Sequence, residues 1–247
     1  MRGERPCTAP GTPSCGTRPN RRIPSGSDSP TDAHLELRCS AFLFDLDGVL
    51  VDSRAVTERT WRRWAQRHHL DPEPILRIAH GRRVRDSLRA VFPSLAVDAE
   101  VDWLDASELE DVDGLAIVPG AKEFLASLPR DRWAIVTSCG QALAQLRLGA
   151  AQLPMPKVLV VAEDVKNGKP APDGYQLGAD RLGCDPRACL VFEDAPAGLA
   201  AGRAAGARVI ALTTTHVAQA LVGAEAFIAD FTGIRLRPEG DAFVVIL

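Results

Sequence analysis

Three features of the 247-residue sequence predict an α/β fold, a doubly wound parallel sheet with an inserted α-helical segment. A short apolar run, Ala41-Phe42-Leu43-Phe44, has the character of a buried strand and ends on the carboxylate of Asp45. From Pro119 onward strand-like runs alternate with helical stretches, the βαβα order that builds a parallel sheet covered on both faces. Between the two, residues 54–118 carry helical periodicity alone.

Residues 1–38 are rich in Pro, Gly, Ser, Thr and Arg, with almost no apolar residue before Leu35. Such a segment cannot bury enough surface to offset its ordering entropy, so a disordered N-terminal extension is expected. A transit peptide would also be Arg- and Ser-bearing, but no amphipathic pattern supports one. Residues 39–53 and 119–247 are expected to form the α/β core domain, with 54–118 inserted after the first strand.

Within the insert, Val56, Trp61, Trp64, Ala65 and His68 share a helical face, and the two tryptophans read as the core of that segment. Asp71-Pro72 has the form of a helix start. Val84, Leu88, Val91 and Phe92 recur at helical spacing, and the acidic stretch Asp98–Val112 continues the helical character. His80-Gly81-Arg82-Arg83 breaks the helices with a glycine beside two guanidinium groups, which could aim cations at a substrate. Further on, strands are expected at Trp133–Thr137, Val158–Ala162, Cys189–Phe192 and Val209–Leu212. Helices are expected at Gln141–Leu148, Gly174–Leu182 and Gly198–Ala205.

Bulk properties exclude several classes. A net charge of −3 and a pI near 6.0 give no nucleic-acid footprint. No apolar run approaches the ~20 residues that a membrane span needs, and no apolar leader region opens the chain. The six cysteines form no C-x-x-C pair, so free thiols in a reducing, cytoplasmic setting are expected. Oligomeric state is not legible.

Ligands of open α/β sheets bind beyond the carboxyl ends of the strands. Here those ends carry Asp45-Leu46-Asp47-Gly48, Thr137-Ser138, Gly168-Lys169-Pro170 and Glu193-Asp194. One lysine, a hydroxyl pair and four carboxylates on one rim suit phosphoryl transfer to an enzyme carboxylate. Mg²⁺ favours a few carboxylate oxygens together with a substrate phosphate oxygen. An EF-hand reading of D-x-D-G fails because Val49 stands where calcium needs an oxygen ligand.

These stretches together resemble the haloacid dehalogenase superfamily. Asp45 to Ser53 is similar to its first motif, Thr137 to its second, Lys169 within Gly168-Lys169-Pro170-Ala171-Pro172 to its third, and Glu193-Asp194-Ala195-Pro196-Ala197-Gly198 to its fourth. The motifs stand in family order, and the insert resembles the helical cap of the β-phosphoglucomutase-like, sugar-phosphatase branch. The resemblance implies that Asp45 is nucleophile and Mg²⁺ ligand. It makes Asp47 the acid/base group, with its backbone carbonyl on the metal. Asp194 becomes a further metal ligand and Glu193 a weaker candidate. Thr137, Ser138 and Lys169 would hold the phosphate, Arg82 and Arg83 would meet the substrate from the cap, and Pro119-Gly120 and the residues after Leu50 would act as hinges.

The expected activity is Mg²⁺-dependent hydrolysis of a small phosphorylated metabolite, a sugar phosphate. Dehalogenase chemistry needs no carboxyl two residues after the nucleophile, so Asp47 argues against it. A phosphonatase of this kind needs a cap lysine, and residues 54–118 contain none. A phosphosugar mutase remains as an alternative, although Cys139-Gly140-Gln141 replaces the Lys-Asn that such mutases use for a second phosphate. A non-catalytic phosphate-binding protein of the same fold is the other alternative.

Overall fold

A computed structural model of the chain describes residues 34–93, 95 and 97–247. Strand β1 (Glu36–Cys39) leads into β2 (Ala41–Phe44), and β3 (Val51–Asp52) precedes the helices α1 (Arg54–Arg67), α2 (Glu73–Ala79), α3 (Val84–Val91) and α4 (Val97–Leu109). Strand β4 (Ala116–Ile117) and helix α5 (Ala121–Ser127) return the chain to the sheet. The alternation then runs β5 (Trp133–Val136), α6 (Gln141–Ala150), β6 (Val158–Val160), α7 (Asp173–Arg181), β7 (Cys189–Glu193), α8 (Pro196–Ala204), β8 (Arg208–Leu212) and β9 (Ala226–Ile228). A hairpin of β10 (Arg235–Glu239) and β11 (Ala242–Ile246) closes it.

Among the described residues, the main sheet is parallel with the order β6-β5-β2-β7-β8-β9. Strand β2 lies between β5 and β7, with Phe42 opposite Trp133 on one side and Leu190 on the other. The sequence order reverses at β2, which is where such a sheet opens a crevice at its carboxyl edge. Period-two alternation divides β2 between two apolar layers. Phe42 and Phe44 pack with Phe124, Phe192 and Phe231 on one face, while Ala41 and Leu43 pack with Val136, Tyr175 and Val191 on the other. The rings of Phe44 and Phe192 stack at 5.0 Å. Burying each such side chain contributes about 1.5–3 kcal/mol relative to exposure, so the floor beneath Asp45 is strongly favoured to stay packed.

The expected extension over residues 1–38 ends earlier than its composition suggests. Residues 1–33 lie outside the described residues, but Glu36–Arg38 belong to β1, which pairs antiparallel with β11. The reason is alternation within Glu36-Leu37-Arg38-Cys39. Leu37 and Cys39 are buried, and their register partners Val245 and Phe243 are buried as well.

The inserted helices close a separate apolar cluster around Trp61, Trp64, Ile75, Leu88 and Leu104. The Trp61 and Trp64 rings meet edge to face at 5.7 Å, and Trp64 Nε1 donates to Glu100 Oε2 at 2.8 Å. Asp71 Oδ1 accepts from the Glu73 backbone N–H at the start of α2. The two chain crossings into and out of the insert run side by side, with Val51 opposite Ile117 and Asp52 opposite Ala116.

Candidate active site

Asp45 follows β2 directly, and its backbone N–H is held by the Phe192 carbonyl of β7. It is 2% exposed, and Lys169 Nζ lies 2.8 Å from its Oδ1. That approach is poorly directed for a hydrogen bond, and Asp45 Oδ1 has no hydrogen-bond partner among the described residues. Burial pushes the Asp45 carboxyl up to about 7, with Lys169 opposing the rise and Glu193 and Asp47 adding to it. Burial alone would lower the Lys169 ammonium, but Asp45 and Glu193 outweigh it and hold it above the ordinary lysine range.

Glu193 ends β7 fully buried. Its Oε1 accepts from Lys169 Nζ at 2.6 Å and from the Tyr175 hydroxyl at 2.5 Å, while Oε2 accepts from the Asp194 N–H at 3.1 Å. Asp194 is 1% exposed, and burial followed by repulsion from Glu193 and Asp45 raises its carboxyl well above the usual range. Its Oδ1 has no hydrogen-bond partner among the described residues, whereas Oδ2 meets the Thr215 hydroxyl. Gly48 lies at φ +76°, and a Cβ there would collide with the Asp194 carboxylate. The glycine of D-x-D-G therefore serves both the turn and the close approach of Asp194.

Oxygens of Asp45, Glu193 and Asp194 lie within 4.8 Å of one another. Two buried carboxylate oxygens without partners among the described residues, beside a third acid, fit a hard divalent cation. Glu193 fits it least, because both its oxygens already accept hydrogen bonds.

Asp47 sits above this cluster with its side chain one-quarter exposed. Ser53 Oγ donates to its Oδ1 at 2.6 Å, and Arg147 Nη1 donates to its Oδ2 at 2.5 Å. Thr137 is buried at the end of β5, and its Oγ1 accepts from the Cys139 N–H at 3.2 Å. Burial pushes the Cys139 thiol up to about 12, so it stands there as a small neutral group. Ser138 Oγ donates to the Gly81 carbonyl of the insert at 3.0 Å. Its hydroxyl therefore joins the insert to the core.

The structure separates the two arginines that the sequence leaves together. Arg83 Nε donates to Asp86 at 2.7 Å, and its Nη1 and Nη2 reach the Val165 and Lys166 carbonyls at 3.2–3.3 Å. Arg82 has no ion-pair partner among the described residues. Both line a cavity of about 320 Å³ that also holds Asp45, Asp47, Thr137 and Asp194. That volume is at the low end for small-molecule sites, roughly 300–1,000 Å³.

Sequence reasoning passed over Arg147, Glu108, Tyr175 and Thr215. Arg147 had a signal, since it falls on the same face of α6 as Leu143, Ala144 and Leu148. A lone arginine on a core-facing stripe must have buried partners. Glu108 had none, because it is one of many acids in its stretch.

The haloacid dehalogenase-like hydrolase family model matches residues 39–206, and the chain belongs to that family. It is 46% identical over 181 residues to hexitol phosphatase A of Escherichia coli K12, covering 71% of this chain and 84% of the relative. It is 36% identical over 197 residues to glycerol-1-phosphate phosphohydrolase 2 of Saccharomyces cerevisiae, covering 75% and 79%. A solved hydrolase from Pseudomonas syringae superposes with a TM-score of 0.69 at 27% identity, covering 78% of this chain and 94% of that one. Among the described residues, no helix is long and apolar enough to cross a membrane.

Proposed function

We propose that this chain is a Mg²⁺-dependent phosphatase of a small sugar or sugar-alcohol phosphate, acting through an aspartyl-phosphate on Asp45. The observation that carries this reading is the buried Asp45–Lys169–Glu193–Asp194 cluster at the carboxyl edge of β2 and β7. Names of relatives that act on hexitol phosphates and on glycerol 1-phosphate support the substrate class.

In the first half-reaction an Asp45 carboxylate oxygen bonds to phosphorus as the ester P–O bond breaks, and Asp47 gives its proton to the departing alkoxide. In the second, Asp47 takes a proton from water as that oxygen bonds to phosphorus, and the bond to Asp45 breaks. Lys169 offsets negative charge on the phosphoryl oxygens and is itself held by Glu193 and Tyr175. Thr137 lies within the cavity as a further hydroxyl for the phosphate. Asp45, Asp194 and the Asp47 carbonyl would hold Mg²⁺, which when bound neutralises buried carboxylate charge and polarises the phosphoryl group. Helices α1–α4 serve as the cap, and Arg82, which has no ion-pair partner among the described residues, is its cation toward the substrate.

The mutase alternative is weaker on electrostatic grounds. Where a second phosphate would need a cation, the Gln141 N–H is bound to Glu163, and Glu163 also lines the cavity. Phosphate release from a panel of phosphorylated sugars and polyols, with Mg²⁺ and with EDTA, tests the proposal. It predicts metal-dependent release from monophosphates of this class. Full activity in EDTA, or no release from any member, would contradict it.

A further inference from the structure

Arg147 is a core residue with no role in the scheme above, and it is only 3% exposed. Its guanidinium collects groups from three separate places. Nη1 donates to Asp47 Oδ2 at 2.5 Å, and Nη2 donates to Glu108 Oε2 at 2.8 Å on α4 and lies 3.4 Å from Thr57 Oγ1 on α1. Glu108 is buried too, which raises its carboxyl, with Arg147 opposing the rise. Burial alone would lower Arg147, yet Asp47 and Glu108 hold it above its ordinary value.

We infer that Arg147 is the positioning residue for Asp47, and that Glu108 anchors it from the inserted helices. The inference rests on the proposed acid/base role of Asp47. Asp47 lies three residues past the end of β2, on a turn beyond the apolar floor. Two donors fix its rotamer. Ser53 holds one oxygen from the first crossing into the insert, and Arg147 holds the other from α6.

A planar fork fixes a carboxylate in direction as well as distance, and its own orientation must be fixed in turn. Glu108 does this from the far side, so the fork faces Asp47 only while α4 packs on α6. Placing the acid/base carboxylate and seating the insert on the core thereby become one event. Direct phosphate binding suits Arg147 less well. Its two terminal nitrogens are already committed to carboxylates, and the cation beside Asp45 is Lys169.

The test compares two leaving groups. Expulsion of an alkoxide from glycerol 1-phosphate, or from sorbitol 6-phosphate if the wild type turns it over faster, needs a proton from Asp47. Expulsion of para-nitrophenolate does not. Since kcat/KM reports only steps through phosphoryl transfer to Asp45, Arg147→Met should lower it on the order of 10²-fold for the alkyl phosphate, the cost of a misplaced group. It should lower it far less for para-nitrophenyl phosphate. Arg147→Lys should recover part of the loss, and Glu108→Gln should show the same selectivity in weaker form.

Arg147→Met strands the Glu108 charge. Should its circular dichroism show that it does not fold, Arg147→Met/Glu108→Gln removes both charges and carries the comparison. Equal losses on both substrates, or no loss in any folded variant, would overturn the inference. Asp47→Asn separates the two levels. If it too lacks the leaving-group selectivity, the mechanism itself is wrong. If it shows the selectivity and the folded Arg147 and Glu108 variants do not, only the positioning role fails.

Discussion

Lys169 Nζ stands 2.8 Å from Asp45 Oδ1 with both groups buried, and its second contact, at 2.6 Å, is to Glu193 Oε1. The ammonium is therefore held between the Glu193 and Asp45 carboxylates. Replacing it with an apolar side chain of similar length removes the charge that opposes protonation of Asp45.

Lys169→Met is accordingly expected to lower kcat on the order of 10³-fold, the scale of one preorganised electrostatic group. Burial already pushes Asp45 up to about 7, and the lysine acts against that. Without it the carboxyl rises further, so the acidic limb of the kcat/KM profile should move to higher pH. Steady-state phosphate release across pH checks both effects. An unmoved limb would show that Lys169 does not act on Asp45.

Metal binding should be linked to protons. In the metal-free protein, burial raises both Asp45 and Asp194, and a ligand carboxylate must lose its proton to bind. Mg²⁺ affinity should therefore rise as pH increases through about 7, with protons released on binding. The same sign applies to folding. The contribution of Asp45 to metal-free stability is full below the unfolded carboxylate range and is lost as pH rises through its folded value. Titration calorimetry in buffers of different ionisation enthalpy measures the release, and a pH-independent affinity would contradict it.

Tyr175, the only tyrosine in the chain, donates to Glu193 and lies under Lys169, with its ring centre 5.2 Å from Nζ. Tyr175→Phe should cost about 1.5–3 kcal/mol, the usual worth of a hydrogen bond to a charged group. It should also lower kcat by loosening the lysine. Denaturant unfolding and phosphate release check the two separately. Unchanged stability would mean that the hydroxyl is not bonded as described.

Arg82 and Arg83 should behave differently. Arg83 ties the insert to the 165–166 loop, so Arg83→Ala should weaken hydrolysis of a sugar phosphate and of para-nitrophenyl phosphate alike. Arg82 has no such tie, and Arg82→Ala should lower kcat/KM by roughly 10-fold or more for the sugar phosphate alone, the worth of one charge-assisted contact. Kinetics on both substrates decide it, and the reverse pattern would exchange the two assignments.

What the sequence made legible was what local rules control. The strand leading to Asp45 and the later strand–helix alternation follow from apolar runs and periodicity. The strands and helices expected between Trp133 and Leu212 start and stop within two residues of the observed ones, whereas α4 stops three residues short of Val112 and α5 and β9 to β11 were not foreseen. The rim residues were readable because a strand end places its last side chains at the crevice. Pairing at long range was not. β1 finds its partner in β11 across most of the chain, and Arg147 finds Glu108 from another helix. The division of labour between Arg82 and Arg83 depended on which one met the 165–166 carbonyls, and no local pattern states that.

The central claim is that Asp45 carries the phosphoryl group, and the most direct measurement is to find it there. The wild-type enzyme, mixed with phosphate-labelled substrate and Mg²⁺ and quenched rapidly in acid, should yield label on the peptide that contains Asp45. The label should be discharged by hydroxylamine, as an acyl phosphate is, and it should be absent from Asp45→Asn, whose turnover should fall by ~10⁴-fold or more. Label on a different residue, or Asp45→Asn protein that still releases phosphate at near the wild-type rate, would contradict the account.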